Sequence, residues 1–157
     1  MPNSIKVPII LLRIGIGWLM FYAGWTKVVT YFTDAPDWTA AGFLKALEGP
    51  FASFFTSLAA STLVDYLNAY GLLLIGIALL LGLLVRWSAF WGVVLMVLYY
   101  LAGFPPERAF VVDDHIIYVL VFILLAAIGS GRIWGLDAKI EASPLVKSNP
   151  WLLKLLG

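Results

Sequence analysis

The sequence predicts an all-α membrane protein: a bundle of four transmembrane helices, with short interfacial helices between the first two spans and an amphipathic tail. Three observations predict it. Of the 157 residues, 62% are hydrophobic and 12% are charged, about half the charged share of an ordinary soluble domain. The charges are segregated, with none in 66–85, 87–106 or 116–131. A bilayer crossing takes about 20 apolar residues, so this length supplies four crossings, short connections and one longer loop. Nothing is left for a large extramembranous domain, and the chain reads as one membrane domain.

The first span is expected over 8–29, with Pro8 in its first turn, Arg13 as its interior charge and Lys27 near its end. Lys6 precedes the apolar stretch as it would in a signal peptide. No small-x-small cleavage site follows, so the stretch is read as a retained span. The loop 31–62 is expected to form an interfacial lid of two short helices. Asp37 can cap the first and Pro50 can open the second, and Phe43, Phe51, Phe54 and Phe55 offer apolar faces.

The second span is expected over 63–85, where Thr62 and Asp65 have capping-box spacing. Only Arg86 separates it from the third span, 87–103, so the two form a tight antiparallel hairpin that Pro105 and Pro106 terminate. After Glu107 and Arg108 comes the fourth span, 114–130, with Asp113 or Asp114 as N-cap and Gly129 and Gly131 at its end. The tail, 132–157, alternates Trp134, Trp151 and leucines with Lys139, Lys147 and Lys154, a pattern suited to a membrane surface. Small residues at Gly17, Gly24, Gly71, Ala78, Gly82, Ser88, Gly92 and Gly103 let helices approach closely, which predicts a compact bundle with little room for an aqueous pore.

Four spans put both ends of the chain on one side. Lys6, Arg13, Arg86, Arg132, Lys139, Lys147 and Lys154 share that side against Lys27, Lys45 and Arg108 opposite, and the positive-inside rule makes the richer side cytoplasmic. The formal net charge of +1 gives no reason to expect nucleic acid. The expected partners are the lipid bilayer and other membrane or membrane-associated subunits.

Composition also bounds the chemistry. With no cysteine and one histidine, the chain cannot hold an iron–sulfur cluster, a thiolate haem or a bis-histidine haem by itself, and no metal site is expected. No covalently bound cofactor is expected, so any electrons belong to a partner or a diffusible carrier such as a quinone. Ionisable groups inside a membrane mark function or structural pairing, and they fall in two clusters. At the cytoplasmic end, Arg13 either snorkels to the headgroups or forms a structural ion pair with Asp137, pinning the tail to span one.

At the outer end, Lys27 is expected near Asp113, Asp114 and His115, with Tyr22, Trp25, Tyr99 and Tyr100 at similar depth and Tyr118 one turn after Asp114. Aromatic walls, donors for two carbonyl oxygens and a proton route through His115 and Asp114 would suit a quinone or lipid-like ligand between spans one, three and four. The alternative is an N-cap aspartate, an interfacial histidine and an ordinary aromatic belt. The candidate binding residues are Tyr22, Trp25, Lys27, Tyr99, Tyr100, Asp114, His115 and Tyr118; no catalytic residue is assigned.

The segment Leu12-Arg13-Ile14-Gly15 through Phe21-Tyr22-Ala23-Gly24-Trp25-Thr26-Lys27 resembles the opening of the DoxX/DoxD family. Two later segments agree: Gly71 to Arg86, and Asp113-Asp114-His115 through Gly129-Ser130-Gly131-Arg132 to Asp137. The resemblance implies a four-span protein of the bacterial or archaeal cytoplasmic (inner) membrane. In the DoxD branch it implies the membrane subunit of a thiosulfate:quinone oxidoreductase, while related four-span proteins serve maturation or assembly. Leu72 stands where many members carry a glutamate, so a buried acid relay is not carried over. Two functions follow as expectations: a quinone-interacting subunit of an oxidoreductase complex, or a noncatalytic structural or assembly subunit.

Overall fold

The computed structural model describes residues 1–106 and 110–157, so Glu107 and Arg108 of the outer connection lie outside the described residues. Eight α-helices and no strand occur among those residues: α1 (Asn3–Val28), α2 (Ala41–Lys45), α3 (Ala52–Ser57), α4 (Thr62–Leu81), α5 (Val85–Ala102), α6 (Asp114–Ile128), α7 (Asp137–Glu141) and α8 (Pro144–Ser148). Short 3-10 turns at Val29–Phe32, Ser130–Arg132 and Pro150–Lys154 extend or link them. Three helices are long and apolar enough to cross a membrane: α1 with its 3-10 extension, α4 and α5. Helix α6 is apolar but has 15 residues, about 22 Å of rise against a hydrocarbon core of roughly 30 Å.

The helices associate as two close pairs, α1 with α4 and α5 with α6, while α4 and α5 touch far less. In a lipid solvent, apolar area alone does not drive helices together, so close backbone approach must supply the packing. Glycine supplies it here. A Cβ on Gly24 would collide with the Leu73 backbone and one on Gly76 with the Phe21 backbone, so α1 and α4 meet main chain against main chain. Phe122 is fully buried over Gly92, which locks α5 to α6 in the same way. Met20, Leu79, Met96 and Leu125 complete a core shared by all four long helices. Gly71, expected to be a contact glycine, faces open space instead.

Helix starts differ from expectation in instructive ways. Helix α1 begins at Asn3, with Pro8 inside it; a proline this near the start forfeits one backbone bond and is tolerated. Asp37 does not cap α2 and Pro50 does not open α3, whose N-cap is Phe51. The Thr62–Asp65 capping box does not form. Asp65 Oδ1 instead accepts a hydrogen bond from the Ala40 N–H at 2.8 Å, tying the lid to α4. Ala40, Leu44, Phe55 and Ala59 of the lid bury themselves with Ala102 at the end of α5, so the lid bridges the start of α4 and the end of α5. Asp113 is the N-cap of α6, accepting from the Ile116 N–H at 3.2 Å, and Gly129 closes that helix at φ 69°.

The tail folds back over the opposite end. The N–H groups of Leu136 and Asp137 donate to the carbonyls of Leu81 and Gly82, and the Trp87 N–H donates to Leu155. The tail, the α4–α5 turn and the start of α1 therefore share one end of the bundle, and the lid and the start of α6 share the other.

Candidate functional site

Because α4 and α5 splay apart, the bundle is not compact throughout. A cleft of about 1540 Å³ runs between them from the lid to the Leu83–Leu84 turn. Residues at helical spacing line it. Asn68, Gly71, Ile75 and Ala78 come from α4, and Trp91, Leu95, Leu98 and Tyr99 from α5. Its lips carry exposed Leu67, Leu74, Trp91 and Leu98, so the cleft opens sideways along an exposed apolar flank of the pair.

Apart from Ser88 near the turn, the polar lining gathers at the lid end of the cleft, its mouth. Asn68 Nδ2 donates to the Tyr99 hydroxyl at 2.6 Å, and the Tyr99 ring meets His115 edge to face at 5.7 Å between centroids. His115 Nδ1 lies 2.7 Å from Asp113 Oδ2, which assigns the proton to Nδ1 and leaves Nε2 without a partner among the described residues. Burial raises the Asp113 pKa, but the His115 hydrogen bond, the Ile116 amide and the charge of His115 outweigh it, and the carboxyl titrates below its ordinary value. Lys27 Nζ donates to the Ala23 carbonyl at 2.9 Å and sits 5.0 Å from the centre of the Trp38 ring. That tryptophan is held by a hydrogen bond from its N–H to Thr30 Oγ1, and by its carbonyl, which accepts from the Tyr31 hydroxyl.

Of the expected binding residues, Lys27, Tyr99, Asp114 and His115 line this cleft. The other four lie elsewhere. Tyr22 and Trp25 point outward from α1, exposed and stacked with Trp18 and Phe21. Tyr100 turns away to donate to the Val111 carbonyl at 2.8 Å, and Tyr118 packs against the core. The cleft itself lies between α4 and α5 rather than among spans one, three and four, and the partner of His115 is Asp113 rather than Asp114. Asn68 and Trp38 were not singled out from the sequence. A carboxamide in an otherwise apolar span was the available signal for Asn68.

At the opposite end, Arg13 and Asp137, expected as an ion pair, are not in direct contact: Arg13 has no carboxylate within 4.0 Å among the described residues, although the Asp137 charge still acts on it. Both side chains are nonetheless buried, at 2% and 0% exposure. Arg13 donates to the carbonyls of Ser130, Ile133 and Trp134. Asp137 accepts from the N–H groups of Leu84, Val85 and Gly157 at 2.7, 3.0 and 2.9 Å. The tail is thus pinned to α1, as the pair would have pinned it, but through main-chain carbonyls. A five-donor guanidinium satisfies several such acceptors at once.

No curated protein and no solved structure matches the chain. The DoxX family profile matches residues 9–104, from early in α1 to just beyond the end of α5, and so takes in both walls of the cleft, the lid and the α4–α5 turn. On that match, which covers more than half of its length, the chain belongs to the DoxX family.

Proposed function

We propose that this DoxX protein is a quinone-interacting subunit of an oxidoreductase complex in the cytoplasmic membrane, with α6 as a fourth span and both ends of the chain cytoplasmic. The observation that carries the reading is the outer mouth of the cleft, where Tyr99, Asn68, Lys27 and the Asp113–His115 pair converge beside an apolar trough. A quinone headgroup presents two carbonyl oxygens. Tyr99 O–H and Lys27 Nζ are donors for one end, and His115 serves the other as the imidazolium, whose Nε2–H donates while Nδ1–H stays on Asp113. Reduction to the quinol takes two electrons and two protons. The electrons come from a redox centre on a partner subunit, and the protons pass through His115, with exposed Asp114 nearest to water. Within this reading, the DoxD-type role with thiosulfate as donor is one assignment of that partner.

The test is quinone binding to the purified protein, read by quenching of tryptophan fluorescence, since Trp38 and Trp91 line the cleft. His115→Ala and Tyr99→Phe should each weaken binding about tenfold, the effect of losing one hydrogen bond to a buried polar group. Full binding by both variants rejects the reading. The second reading, a noncatalytic assembly subunit, is favoured by the exposed aromatic stripe of Trp18, Tyr22 and Trp25, which suits a partner helix. It predicts that these substitutions leave complex assembly and quinone turnover unchanged.

A further inference from the structure

The polar mouth accounts for only one end of the cleft. Below it, the walls continue without a charged group from Tyr99 to Trp87 along α5, about 18 Å of helix at 1.5 Å per residue. A headgroup alone would leave that length unused.

We propose that the α4–α5 cleft is a tail channel, taking the polyprenyl chain of a membrane quinone that enters sideways from the bilayer; the inference rests on the headgroup reading above. Three observations select this occupant. First, the mouth has an unsatisfied polar atom. Asn68 Oδ1 is buried without a partner, and turning the carboxamide over would orphan Nδ2 instead. As placed, that oxygen needs a donor, which a quinol hydroxyl supplies; with the amide turned over, Nδ2–H is the free group and donates to a quinone carbonyl. Second, the charges at the mouth argue against a phospholipid. Among the described residues lining the mouth, Asp113 and Asp114 stand against one ammonium, that of Lys27, so a phosphate would meet two carboxylates. A neutral dicarbonyl ring meets no such penalty. Third, the trough is kept open by a missing side chain. Gly71 lines it one turn below Asn68, and a Cβ there meets nothing within 4 Å. The position serves neither helix packing nor a turn, and a mid-helix glycine costs about 1 kcal/mol relative to alanine.

The experiment uses the open space at Gly71. The wild-type protein, Gly71→Leu and, two turns deeper on the same wall, Ala78→Leu are reconstituted in phosphatidylcholine nanodiscs. Each is titrated with one benzoquinone headgroup bearing either a single prenyl unit or a long polyprenyl tail. Both leucines should weaken the long-tailed ligand about tenfold, the size expected from overpacking an occupied space, while the short-tailed ligand changes less than about twofold. The short-tailed ligand reports in the same sample that the mouth is still folded. Equal sensitivity of both ligands, or of neither, overturns the tail channel while leaving the headgroup reading intact. Wild-type protein that binds neither quinone removes the headgroup reading and the channel with it. Displacement of the long-tailed quinone by added phosphatidylglycerol as readily as by unlabelled quinone identifies a general acyl groove and overturns the proposal.

Discussion

Asp137 Oδ1 accepts a hydrogen bond from the Leu84 N–H at 2.7 Å, across 53 residues of chain. Leu84 is the N-cap of α5 and sits in the left-handed region at φ 49°, where a leucine costs about 1–2 kcal/mol and brings no side-chain acceptor for the first turn. Asp137 supplies that acceptor from the tail, taking the Leu84 and Val85 N–H groups together, and returns its own N–H to the Gly82 carbonyl. The α4–α5 turn is therefore capped by a residue that belongs to neither helix. The same turn closes the inner end of the cleft, so the knot also fixes how α4 and α5 begin to diverge.

Removing Asp137 should be costly. Asp137→Ala leaves buried donors unpaired and the Arg13 charge without its opposite, an expected loss of about 3 kcal/mol. Arg13→Ala removes the donor to three carbonyls, of which Ser130 keeps the Ile133 N–H, and should cost a similar amount, with Arg13→Lys recovering little because an ammonium cannot span the same acceptors. The double variant should lose less than the sum of the singles, by about 0.5–3 kcal/mol, because both buried charges leave together. Unfolding in mixed micelles measures all four. Strict additivity would mean that the two charges stabilise the knot independently.

Gly71 and Gly76 look alike in the sequence and should behave oppositely. Five residues at 3.6 per turn place them roughly 140° apart around α4. Gly76 thus faces the Phe21 backbone, and Gly71 faces the cleft. Gly76→Ala must push α1 away from α4 and should destabilise by about 1–3 kcal/mol. Gly71→Ala should be neutral or stabilise by up to about 1 kcal/mol. Thermal melting of the two single variants separates the outcomes, and comparable losses at both sites would contradict the assigned faces.

What the sequence made legible follows the range of the interactions. The charge-free runs marked the apolar helices, and Asp113 and Gly129 marked the ends of α6, because a cap is satisfied within its own turn. Asp65 matched a local capping rule, yet it serves the lid 25 residues away, since a tertiary donor at Ala40 competes for the same oxygen. Arg13 and Asp137 were recognisable as costly groups that had to meet something. Their true partners are backbone atoms, which carry no residue-type signal. The cleft was invisible for a related reason: nothing in a row of glycines and alanines says which face meets a helix and which meets empty space.

Acid should weaken the start of α6. Asp113 titrates lower in the folded protein than in the unfolded chain, so its contribution is complete above the ordinary aspartate value of 3.8 and is lost as pH falls through the folded value. Asp113→Ala should melt lower than wild type at neutral pH, by the equivalent of about 1 kcal/mol for a lost N-cap. The gap should close as pH falls below the ordinary aspartate value and the wild-type carboxyl protonates. Melting curves across that range check the sign; a gap that widens on acidification would assign the stabilisation to the protonated form.

The last prediction concerns orientation, where the fold adds to the charge count. The tail hydrogen-bonds to the α4–α5 turn, through Leu136 to Leu81 and Asp137 to Gly82, so its lysines share an end with Arg86 by contact as well as by topology. Arg86 Nη1 itself donates to the Leu153 carbonyl at 3.3 Å. With Lys6 and Arg13 at the same end, the basic side is the tail side, and the positive-inside rule places it in the cytoplasm. Because the chain has no cysteine, single introduced thiols report cleanly. Ser53, exposed on α3 of the lid, and Ser148, exposed at the end of α8, stand at opposite ends. In intact cells an impermeant thiol reagent should label Ser53→Cys and spare Ser148→Cys, and permeabilisation should expose both. The reverse pattern would turn the protein over and put the quinone mouth on the cytoplasmic side, where the protons of reduction would come from the other compartment.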